Sequence, residues 1–242
     1  MVEDPQLTRV RVHESRIRGM FDAIAPDYDR LNHSLSFGQD VLWRIAAARR
    51  ARLAAGEIGL DVGTGTGDLA LTLLRRSEAG SRVVGLDLAG GMFDRSLRKA
   101  ARSGLQARFE VVQGSALHIP APDGSFDRVV SAFTLRNVAD LGRAFREMRR
   151  VLRPGGRAVL LELSKPPGRL FARLYRAYFY GVLPRAAALL GGDRAAYAYL
   201  PESLTSFPDA AALAAEMRAA GFHQVRYTLL TLGIAALHEG TR

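Results

Sequence analysis

The chain has 242 residues, of which 48% are hydrophobic, and a formal net charge of +10. This length suits one sizeable α/β domain with a full core and is short for two. No apolar stretch reaches the roughly eighteen residues of a membrane span, and no apolar signal region opens the chain, so we expect a cytoplasmic protein. Cysteine is absent, which excludes disulfides and thiolate chemistry, and the five histidines lack ligand spacing, so we expect no metal.

The surplus of Lys and Arg permits three interpretations. A basic surface attracts nucleic acid and anionic membranes equally well. In a chain rich in Arg and Ala, such a surplus is also typical of surface residues that contact only water. Charge alone therefore does not identify a partner, and the choice depends on the motifs.

Apolar runs of strand length alternate with helical stretches from residue 58 onward. The predicted strands are 58–62, 82–87, 107–112, 126–132, 157–163, 222–230 and 232–237, and the predicted helices are 69–76, 92–103, 141–152 and 210–220. The alternation predicts a parallel sheet covered by helices on both faces. A short turn joins the last two strands, so we expect an antiparallel hairpin at the sheet edge.

The most informative motif is residues 61–68, Asp-Val-Gly-Thr-Gly-Thr-Gly-Asp, between the first predicted strand and a helix. A strand that turns through several glycines into a helix brings bare backbone close to a ligand. Asp87 ends the next strand, where a carboxylate can accept hydrogen bonds from a ribose diol. Together these features predict a nucleoside pocket.

The glycine spacing selects the nucleoside. The dinucleotide fingerprint requires a third glycine three places after the second, and Asp68 occupies that place. Carboxylates at Asp61 and Asp68 flank the turn, and a negative rim repels a pyrophosphate but suits a cationic ligand with an amino group. We therefore predict S-adenosylmethionine, a sulfonium with an amino-acid tail, rather than NAD.

Longer strings carry a family resemblance. With the glycine-rich turn, the strings at 123–127 and 152–156 resemble class I S-adenosylmethionine-dependent methyltransferases. The more specific strings at 21–32, 35–40, 43–44, 133–138, 162–166, 199–203 and 207–208 resemble the UbiE family, the quinone C-methyltransferases of menaquinone and ubiquinone biosynthesis. The resemblance runs from about residue 15 to the end of the chain.

The resemblance implies a Rossmann-like class I methyltransferase fold of α/β class, with a seven-stranded, mostly parallel sheet and an antiparallel last strand. We expect one domain over 1–242, with N-terminal lid helices in 1–50 and a helical insertion in 166–207 that faces substrate or membrane. The implied reaction is C-methylation of a polyprenylated hydroquinone, demethylmenaquinol to menaquinol, with S-adenosylhomocysteine as the other product. The alternative substrate is a 2-polyprenyl-methoxy-benzoquinol of ubiquinone biosynthesis. Removal of the phenolic proton makes the ring carbon nucleophilic, so no enzyme nucleophile is needed.

The resemblance also implies a set of cofactor-binding residues, with Asp87 on the ribose hydroxyls. The set is Gly63, Gly65, Thr66, Asp87, Met92, Gly114, Ser115 and Ala116. Relatives usually carry Asp or Asn at the position of Ser115, to receive the adenine amino group. A hydroxyl still accepts one hydrogen bond, directly or through water. At Ala132 some relatives carry Ser, so we do not expect that polar contact to carry over.

The candidate catalytic residues are Arg136, His33 and Tyr28. Arg136 follows the fourth strand, beside the transferable methyl by topology. It could hold a phenolate oxygen or orient a water, because an arginine is a poor base by itself. His33 is a candidate because imidazole is a common general base, and a loop or capping role is its alternative. Tyr28 could instead be a packing aromatic. Trp43 and Arg44 we assign to fastening the lid helix to the core.

The insertion carries the argument for a membrane. Its aromatic and apolar residues at 170–171, 174–175, 178–180 and 182–183 are interleaved with Arg169, Arg173, Arg176 and Arg185. A helix with one apolar and one basic face can lie in a membrane interface, although core packing with solvated arginines is the alternative. An isoprenoid tail must be drawn from a bilayer, so we expect transient, peripheral contact with the cytoplasmic membrane face. The oligomeric state stays open, with a homodimer as one alternative.

Other classes of function fit the sequence less well. Enzymes that methylate amino groups of nucleic acids usually carry Asp/Asn-Pro-Pro-aromatic where this chain has Ala-Phe-Thr-Leu at 132–135, and methylation of a cytosine carbon usually needs a cysteine. We therefore expect no nucleic-acid partner. A small-molecule O- or N-methyltransferase is supported only by the superfamily motifs. A basic binding protein without enzymatic activity predicts no thermal shift with the cofactor.

Overall fold

The structure is a computed structural model, and it describes residues 5–168, 173, 175, 177–182, 185, 199 and 203–242. Within these residues seven strands form one sheet, in the order β3-β2-β1-β4-β5-β7-β6. The strands are β1 (Ile58–Val62), β2 (Arg82–Asp87), β3 (Phe109–Gln113), β4 (Phe126–Ala132), β5 (Leu152–Leu163), β6 (His223–Leu230) and β7 (Ala235–Thr241). All neighbours pair in parallel except β7, which is antiparallel to β5 and to β6. The predicted fold class is confirmed.

The strand order reverses at β1, where the chain runs outward to β2 and β3 and then returns to β4 on the other side. In parallel α/β sheets, ligands bind at the carboxyl ends of the strands beside such a reversal. The glycine-rich turn after β1 and Asp87 at the end of β2 both lie at this edge. The topology therefore brings together two motifs that are about twenty residues apart in sequence.

Helices cover both faces of the sheet. They are α1 (Pro5–Ile24), α2 (Tyr28–Leu35), α3 (Gln39–Arg50), α4 (Asp68–Leu74), α5 (Phe93–Arg102), α6 (Leu141–Val151) and α7 (Ala210–Ala219). On one face Val130 packs with residues of α3, α4 and α5, while the adjacent Val129 faces α6 and α7. Successive strand residues point to opposite faces, so a continuous apolar run is required in a sheet buried on both sides. Each fully buried aliphatic side chain contributes about 1.5–3 kcal/mol.

The N-terminal helices lie against the carboxyl edge of the sheet. Asp22 of α1 accepts a hydrogen bond from the Gly91 amide at 2.8 Å. His13 Nε2 lies 2.9 Å from the Asn137 carbonyl oxygen. Helix α3 is part of the core, where Trp43 is buried and donates from Nε1 to the Thr231 hydroxyl at 2.8 Å. These contacts agree with a lid fastened to the sheet, although the proposed division of the chain into lid, domain and insertion stays a prediction.

The late hairpin is confirmed as antiparallel, but its second strand is not at the edge. β7 inserts between β5 and β6, so β6 is the edge strand. β7 also begins three residues later than predicted, because Thr231–Gly233 forms a 3₁₀ turn with Leu232 at a φ of 56°. β7 pairs with a strand on each side, which explains why every residue from Ala235 to Gly240 is buried.

Some described residues of the insertion pack against the core, and others are exposed. Tyr175 and Tyr178 pack against the buried cluster of Leu31, Leu35 and Leu204, as core residues do. Val182, by contrast, is exposed. The rest of the predicted insertion lies outside the described residues, namely 169–172, 174, 176, 183–184, 186–198 and 200–202. The side chain of Phe179 is likewise not described. Among the helices of the described residues, none combines the length and apolar character needed to cross a bilayer.

Candidate active site

The glycine-rich turn is held open by its backbone. Gly63, Gly65 and Gly67 have φ values of 70°, 53° and 83°, in the left-handed region that favours glycine. The Gly63 and Thr64 amides donate to the Leu86 carbonyl oxygen at 2.7 and 3.0 Å, which ties the turn to β2. The Cα of Gly65 faces open space, with nothing within 4 Å of an added Cβ. The turn therefore presents bare backbone to a cavity.

Two glycine substitutions should separate folding from binding. A Cβ at Gly63 would lie 2.1 Å from Thr134 Oγ1. We expect Gly63→Ala to destabilise the fold by about 3 kcal/mol or more, measured by chemical denaturation. Gly65→Ala meets no neighbour, so it should cost only about 1–2 kcal/mol for its backbone conformation yet weaken ligand binding at the turn by roughly tenfold or more. Wild-type affinity in Gly65→Ala, measured by calorimetry, would show that no ligand approaches this backbone.

Asp87 is already anchored by backbone amides. Its Oδ2 accepts from Gly65 N at 2.7 Å and its Oδ1 from Ala89 N at 2.9 Å. Burial raises the pKa of Asp87, while these amide donors oppose the rise. A carboxylate oxygen has two lone pairs, so each can still accept one further hydrogen bond. The carboxylate is thus oriented before any ligand arrives.

A cavity opens at the carboxyl edge of the sheet between α1 and the glycine-rich turn, and we call it the main cavity because most of the predicted cofactor residues line it. Seven of the eight predicted cofactor residues line it, together with Tyr28: Gly63, Gly65, Asp87, Met92, Gly114, Ser115 and Ala116. Further lining comes from Glu14, Ile17, Arg18 and Phe21 of α1 and from residues 86, 88–89, 117, 132–134 and 137–139. The wall is mostly apolar, with a few polar groups, as small-molecule sites usually are.

A smaller cavity, the side cavity, lies on the other side of the turn. Gly63, Gly65, Tyr28 and Ala132 line both spaces, so the two adjoin. The eighth predicted residue, Thr66, lines the side cavity together with Asp61, Arg44 and residues 64 and 68–69. The predicted cofactor residues therefore surround one continuous region of the sheet edge.

Asp61 is a buried acid with one unused oxygen. Its Oδ2 accepts from Thr64 Oγ1 at 2.9 Å and from Ala70 N at 3.1 Å, but Oδ1 has no hydrogen-bond partner within the described residues. Burial raises the pKa of Asp61 to about 7. An unpaired buried acceptor is costly unless a donor reaches it. The geometry suits a cationic or amino donor at the side cavity.

Asp68, predicted to form part of a negative rim, shares a cation with a second carboxylate. Lys99 Nζ lies 2.5 Å from Asp68 and 2.7 Å from Asp29 of α2. The Thr66 hydroxyl donates to Asp29 at 2.5 Å and accepts from Lys99 at 2.9 Å. One ammonium group is thus shared by two carboxylates, so Lys99 offsets only part of their charge, and Thr66 fastens α2 to the turn. Asp61, Asp87 and Glu14 are further acids that line the two cavities.

Ser115 is bound to a residue that the sequence reasoning missed. Its hydroxyl donates to Glu14 Oε1 of α1 and accepts from Leu117 N at 3.0 Å. Glu14 itself lines the main cavity. The Ser115 hydroxyl, which we expected to accept a hydrogen bond from the adenine amino group, thus already has two partners. One of them is the carboxylate of Glu14. No local pattern around Glu14 could have indicated this, because the contact spans about a hundred residues.

The three candidate catalytic residues are not equally close to the main cavity. Tyr28 lines it, with a pKa raised by burial and opposed by the charges of Arg136 and Arg44. His33 is not among the described residues that line either cavity; its Nδ1 lies 2.7 Å from Asp40 Oδ2. Asp40 also binds Arg44, so His33 belongs to the network between α2 and α3. This geometry favours the structural alternative for His33.

Arg136 is a buried cation whose acidic partner is Glu162. Its Nη1 donates to the Phe133 carbonyl oxygen and lies 3.8 Å from Glu162 Oε2. Glu162 Oε1 accepts from Leu135 N at 2.6 Å, and burial raises the pKa of Glu162 to about 7. Sequence reasoning missed this role of Glu162, although its motif at 162–166 was noted. The pair holds the turn that follows β4.

Arg136 faces a second space, which we call the groove. The groove is lined by residues 9–10, 13, 16, 135–136, 138–142, 199, 203, 206–208 and 216. Val138 and Ala139 line both the groove and the main cavity, so the two adjoin. Its wall mixes apolar side chains such as Leu135 and Phe207 with the cations Arg9 and Arg136. An elongated ligand could therefore reach from the groove to the main cavity.

Phe133 connects the cavity to the lid. It has a φ of 60°, which is uncommon for a bulky residue, and lies at the end of β4. Its ring lies 6.1 Å from the Trp43 ring and 5.1 Å below the Arg44 guanidinium carbon. Strained residues held by their surroundings cluster at ligand sites. Trp43 and Arg44 fasten α3 here, as predicted, but Arg44 also lines the side cavity.

Solved structures with this fold include S-adenosylmethionine-dependent enzymes. One is a SAM-dependent methyltransferase from Thermotoga maritima, a possible histamine N-methyltransferase. It aligns with a TM-score of 0.66 at 21% identity, over 93% of this chain and 98% of that one. The [4+2]-cyclase SpnF aligns with a TM-score of 0.70 at 19% identity, over 95% and 96%. At these identities the likeness establishes the fold alone, because one fold hosts many reactions.

Sequence relatives are much closer. A demethylmenaquinone methyltransferase from Thermus thermophilus is 51% identical, over 92% of this chain and all of that protein. A ubiquinone/menaquinone biosynthesis C-methyltransferase UbiE from Geobacter sulfurreducens is 42% identical, over 99% of this chain and 94% of that protein. The model of the ubiE/COQ5 methyltransferase family matches residues 9–242. The chain belongs to the ubiE/COQ5 methyltransferase family.

Proposed function

We propose that this methyltransferase transfers the methyl group of S-adenosylmethionine to a ring carbon of a polyprenylated hydroquinone, demethylmenaquinol in the first place, and so acts in respiratory quinone biosynthesis. The relatives from Thermus thermophilus and Geobacter sulfurreducens support this reaction. The observation that carries the proposal is a cavity at the carboxyl edge of the sheet with two acids beside a bare glycine turn. One acid suits the amino group of the methionine part of the cofactor, and the other suits the ribose hydroxyls of the adenosine part.

The residues present fit the cofactor. Asp87, held by two amides, would accept hydrogen bonds from the ribose hydroxyls. The unpaired Oδ1 of Asp61 would accept from the amino group, and Arg44 supplies a cation near the carboxylate. Met92 and Leu88 line the main cavity near Ser115 and would border the adenine. S-adenosylmethionine, when bound, supplies an electrophilic methyl group.

The chain's own residues would prepare the quinol for attack. The guanidinium of Arg136 favours a phenolate oxygen electrostatically, which makes the neighbouring ring carbon nucleophilic. Glu162 lies 3.8 Å from Arg136 Nη1, holds the guanidinium in place and offsets part of its charge. Because burial raises its pKa, Tyr28 stays a neutral phenol, so it can donate a hydrogen bond but not remove the proton at neutral pH. The apolar walls at Ile17, Phe21 and Phe133 would exclude water.

The decisive experiment is an assay of purified protein with S-adenosylmethionine and two reduced substrates, a demethylmenaquinol and a 2-polyprenyl-6-methoxy-benzoquinol. We expect menaquinol and a stoichiometric amount of S-adenosylhomocysteine, both detected by mass spectrometry. The name of the Geobacter relative covers both pathways, which is why the benzoquinol is included. Oxidised quinones serve as controls, since they lack the electron-rich ring. Absence of product from both quinols, in protein that binds S-adenosylhomocysteine, would contradict the proposed substrate class.

Cofactor affinity should depend on pH through Asp61. The folded-state pKa of Asp61 is raised to about 7, so between about pH 4 and 7 the folded protein holds a proton that the unfolded chain has lost. Stability of the unliganded protein should therefore fall as the pH rises through this window. An ammonium at Oδ1 favours the ionised acid, so affinity for S-adenosylhomocysteine should rise from pH 6 to pH 8, by up to about tenfold.

The matched control is Asp61→Asn, which keeps the side-chain shape and removes the titration. Its affinity for S-adenosylhomocysteine should be lower at pH 8 and nearly flat from pH 6 to pH 8. Calorimetry in two buffers of different ionisation enthalpy measures the proton release that accompanies binding. If Asp61→Asn keeps the wild-type pH dependence, another group, such as Asp87, causes it.

A further inference from the structure

Exposed apolar side chains meet at two neighbouring turns. Phe37, between α2 and α3, is 81% exposed, and Leu232, between β6 and β7, is 73% exposed. Leu42 on α3 is 57% exposed. The two turns touch, because the Thr231 hydroxyl donates to Gln39 Oε1 at 3.2 Å. We call Phe37, Leu42 and Leu232 the apolar patch.

Two members of the apolar patch lie in an unfavourable backbone conformation. Phe37 and Leu232 have φ values of 52° and 56°, and each precedes a glycine, Gly38 at 72° and Gly233 at 90°. Residues other than Gly, Asn and Asp rarely adopt this left-handed conformation. A polar or small residue would thus suit both turns better. Large apolar side chains at two such positions indicate a role outside the fold.

The described part of a strongly basic segment adjoins the patch. Between Glu162 and Asp193 the sequence contains no acid, and it contains five cations: Lys165, Arg169, Arg173, Arg176 and Arg185. The described part of this segment lies beside Phe37, since the Tyr178 ring centre is 6.2 Å from the Phe37 ring centre. The Tyr178 hydroxyl donates to the Leu35 carbonyl oxygen at 2.8 Å, which fixes this contact. Farther along, Val182 and Arg185 are exposed.

We propose that the apolar patch inserts into the interface of an anionic lipid bilayer, with Arg173 and Arg185, the described and exposed arginines of the basic segment, against the head groups. Apolar side chains flanked by cations suit such a surface. The apolar side chains enter the boundary with the acyl chains, and the cations pair with the anionic head groups. A second copy of this chain is disfavoured as the occupant, since it would bring two chains of net charge +10 together. The inference rests on the proposed function in one respect: a polyprenylated quinol resides in a bilayer.

The test is sedimentation of the full chain with vesicles of phosphatidylglycerol and phosphatidylethanolamine. The variant is Phe37→Asn with Leu232→Asn, because Asn tolerates the left-handed backbone and the fold should survive. We expect its partition coefficient to fall at least about tenfold. The control, Leu97→Asn, replaces a leucine that is 40% exposed on α5, beside the opposite sheet edge, and should stay within about twofold of wild type. Pure phosphatidylcholine vesicles, or 1 M salt, should weaken wild-type binding.

Three outcomes would overturn the proposal. One is a double variant that sediments with vesicles as wild type does. Another is wild-type protein that binds neutral and anionic vesicles equally, because the basic segment would then have no part. The third is a wild-type dimer, seen by analytical ultracentrifugation, that the double variant abolishes while vesicle binding persists, which would make the patch a contact between copies.

Turnover of a short-chain, water-soluble demethylated naphthoquinol separates this inference from the proposed function. The double variant should methylate this quinol at the wild-type rate, because neither position lines the cavities, and thermal melts should match. With long-chain quinol in vesicles, its rate should fall with its binding. A wild-type protein that binds vesicles through the patch but does not methylate the short-chain quinol would contradict the proposed function alone.

Discussion

Replacement of Asp87 by Ala should weaken binding of S-adenosylhomocysteine by roughly 100-fold or more. A hydrogen bond to a charged group contributes about 1.5–3 kcal/mol, and two ribose hydroxyls would lose their acceptor. The Gly65 amide also loses its partner, so the glycine turn is less well ordered. Titration calorimetry measures the affinity directly.

Two further variants make this result specific. Asp87→Asn keeps the shape and one acceptor oxygen, so it should lose less affinity, on the order of tenfold. Asp94→Ala removes an exposed carboxylate from the first turn of α5, outside the described cavity linings, and should leave affinity unchanged. Circular dichroism and melting without ligand establish that Asp87→Ala is folded. Wild-type affinity in that folded variant would remove Asp87 from the site.

The second large effect concerns Arg136. We expect Arg136→Ala to lower kcat for the quinol by about 100-fold or more, because the phenolate loses its cation, while the Kd of S-adenosylhomocysteine changes by less than about threefold. The structure adds a complication, since the substitution leaves Glu162 buried without its nearest cation. Loss of activity in this variant alone could therefore reflect damage to the turn after β4.

The double variant Arg136→Ala with Glu162→Gln resolves the complication. Glu162 has a folded-state pKa of about 7, and loss of Arg136 should raise it further. A raised pKa in an acid means stability that is present at low pH and lost as the pH rises, so Arg136→Ala should lose more stability at pH 8 than at pH 6. In the double variant this difference should vanish while kcat stays low. Recovery of kcat in the double variant would show that Arg136 only neutralises Glu162.

Much of the fold could be predicted from local pattern. The apolar runs at β1, β2 and β4 matched the strands because a sheet covered on both faces requires them. Boundaries were less accurate where turns intervene: β3 begins two residues late, after the 3₁₀ turn Gln106–Arg108. The position of β7 between β5 and β6 could not be predicted from the sequence, because the pattern of a hairpin does not show which of its two strands pairs with a third strand.

The chain's local sequence determined the site motif, the acidic strand end and the family. The glycines of the turn encode a backbone conformation, and that information is local. The tertiary structure alone decided that Lys99 pairs with both Asp68 and Asp29, that Glu14 engages Ser115 and that Glu162 holds Arg136. Each of these partners is distant in sequence, and charge and burial at a site depend on all the elements that pack there.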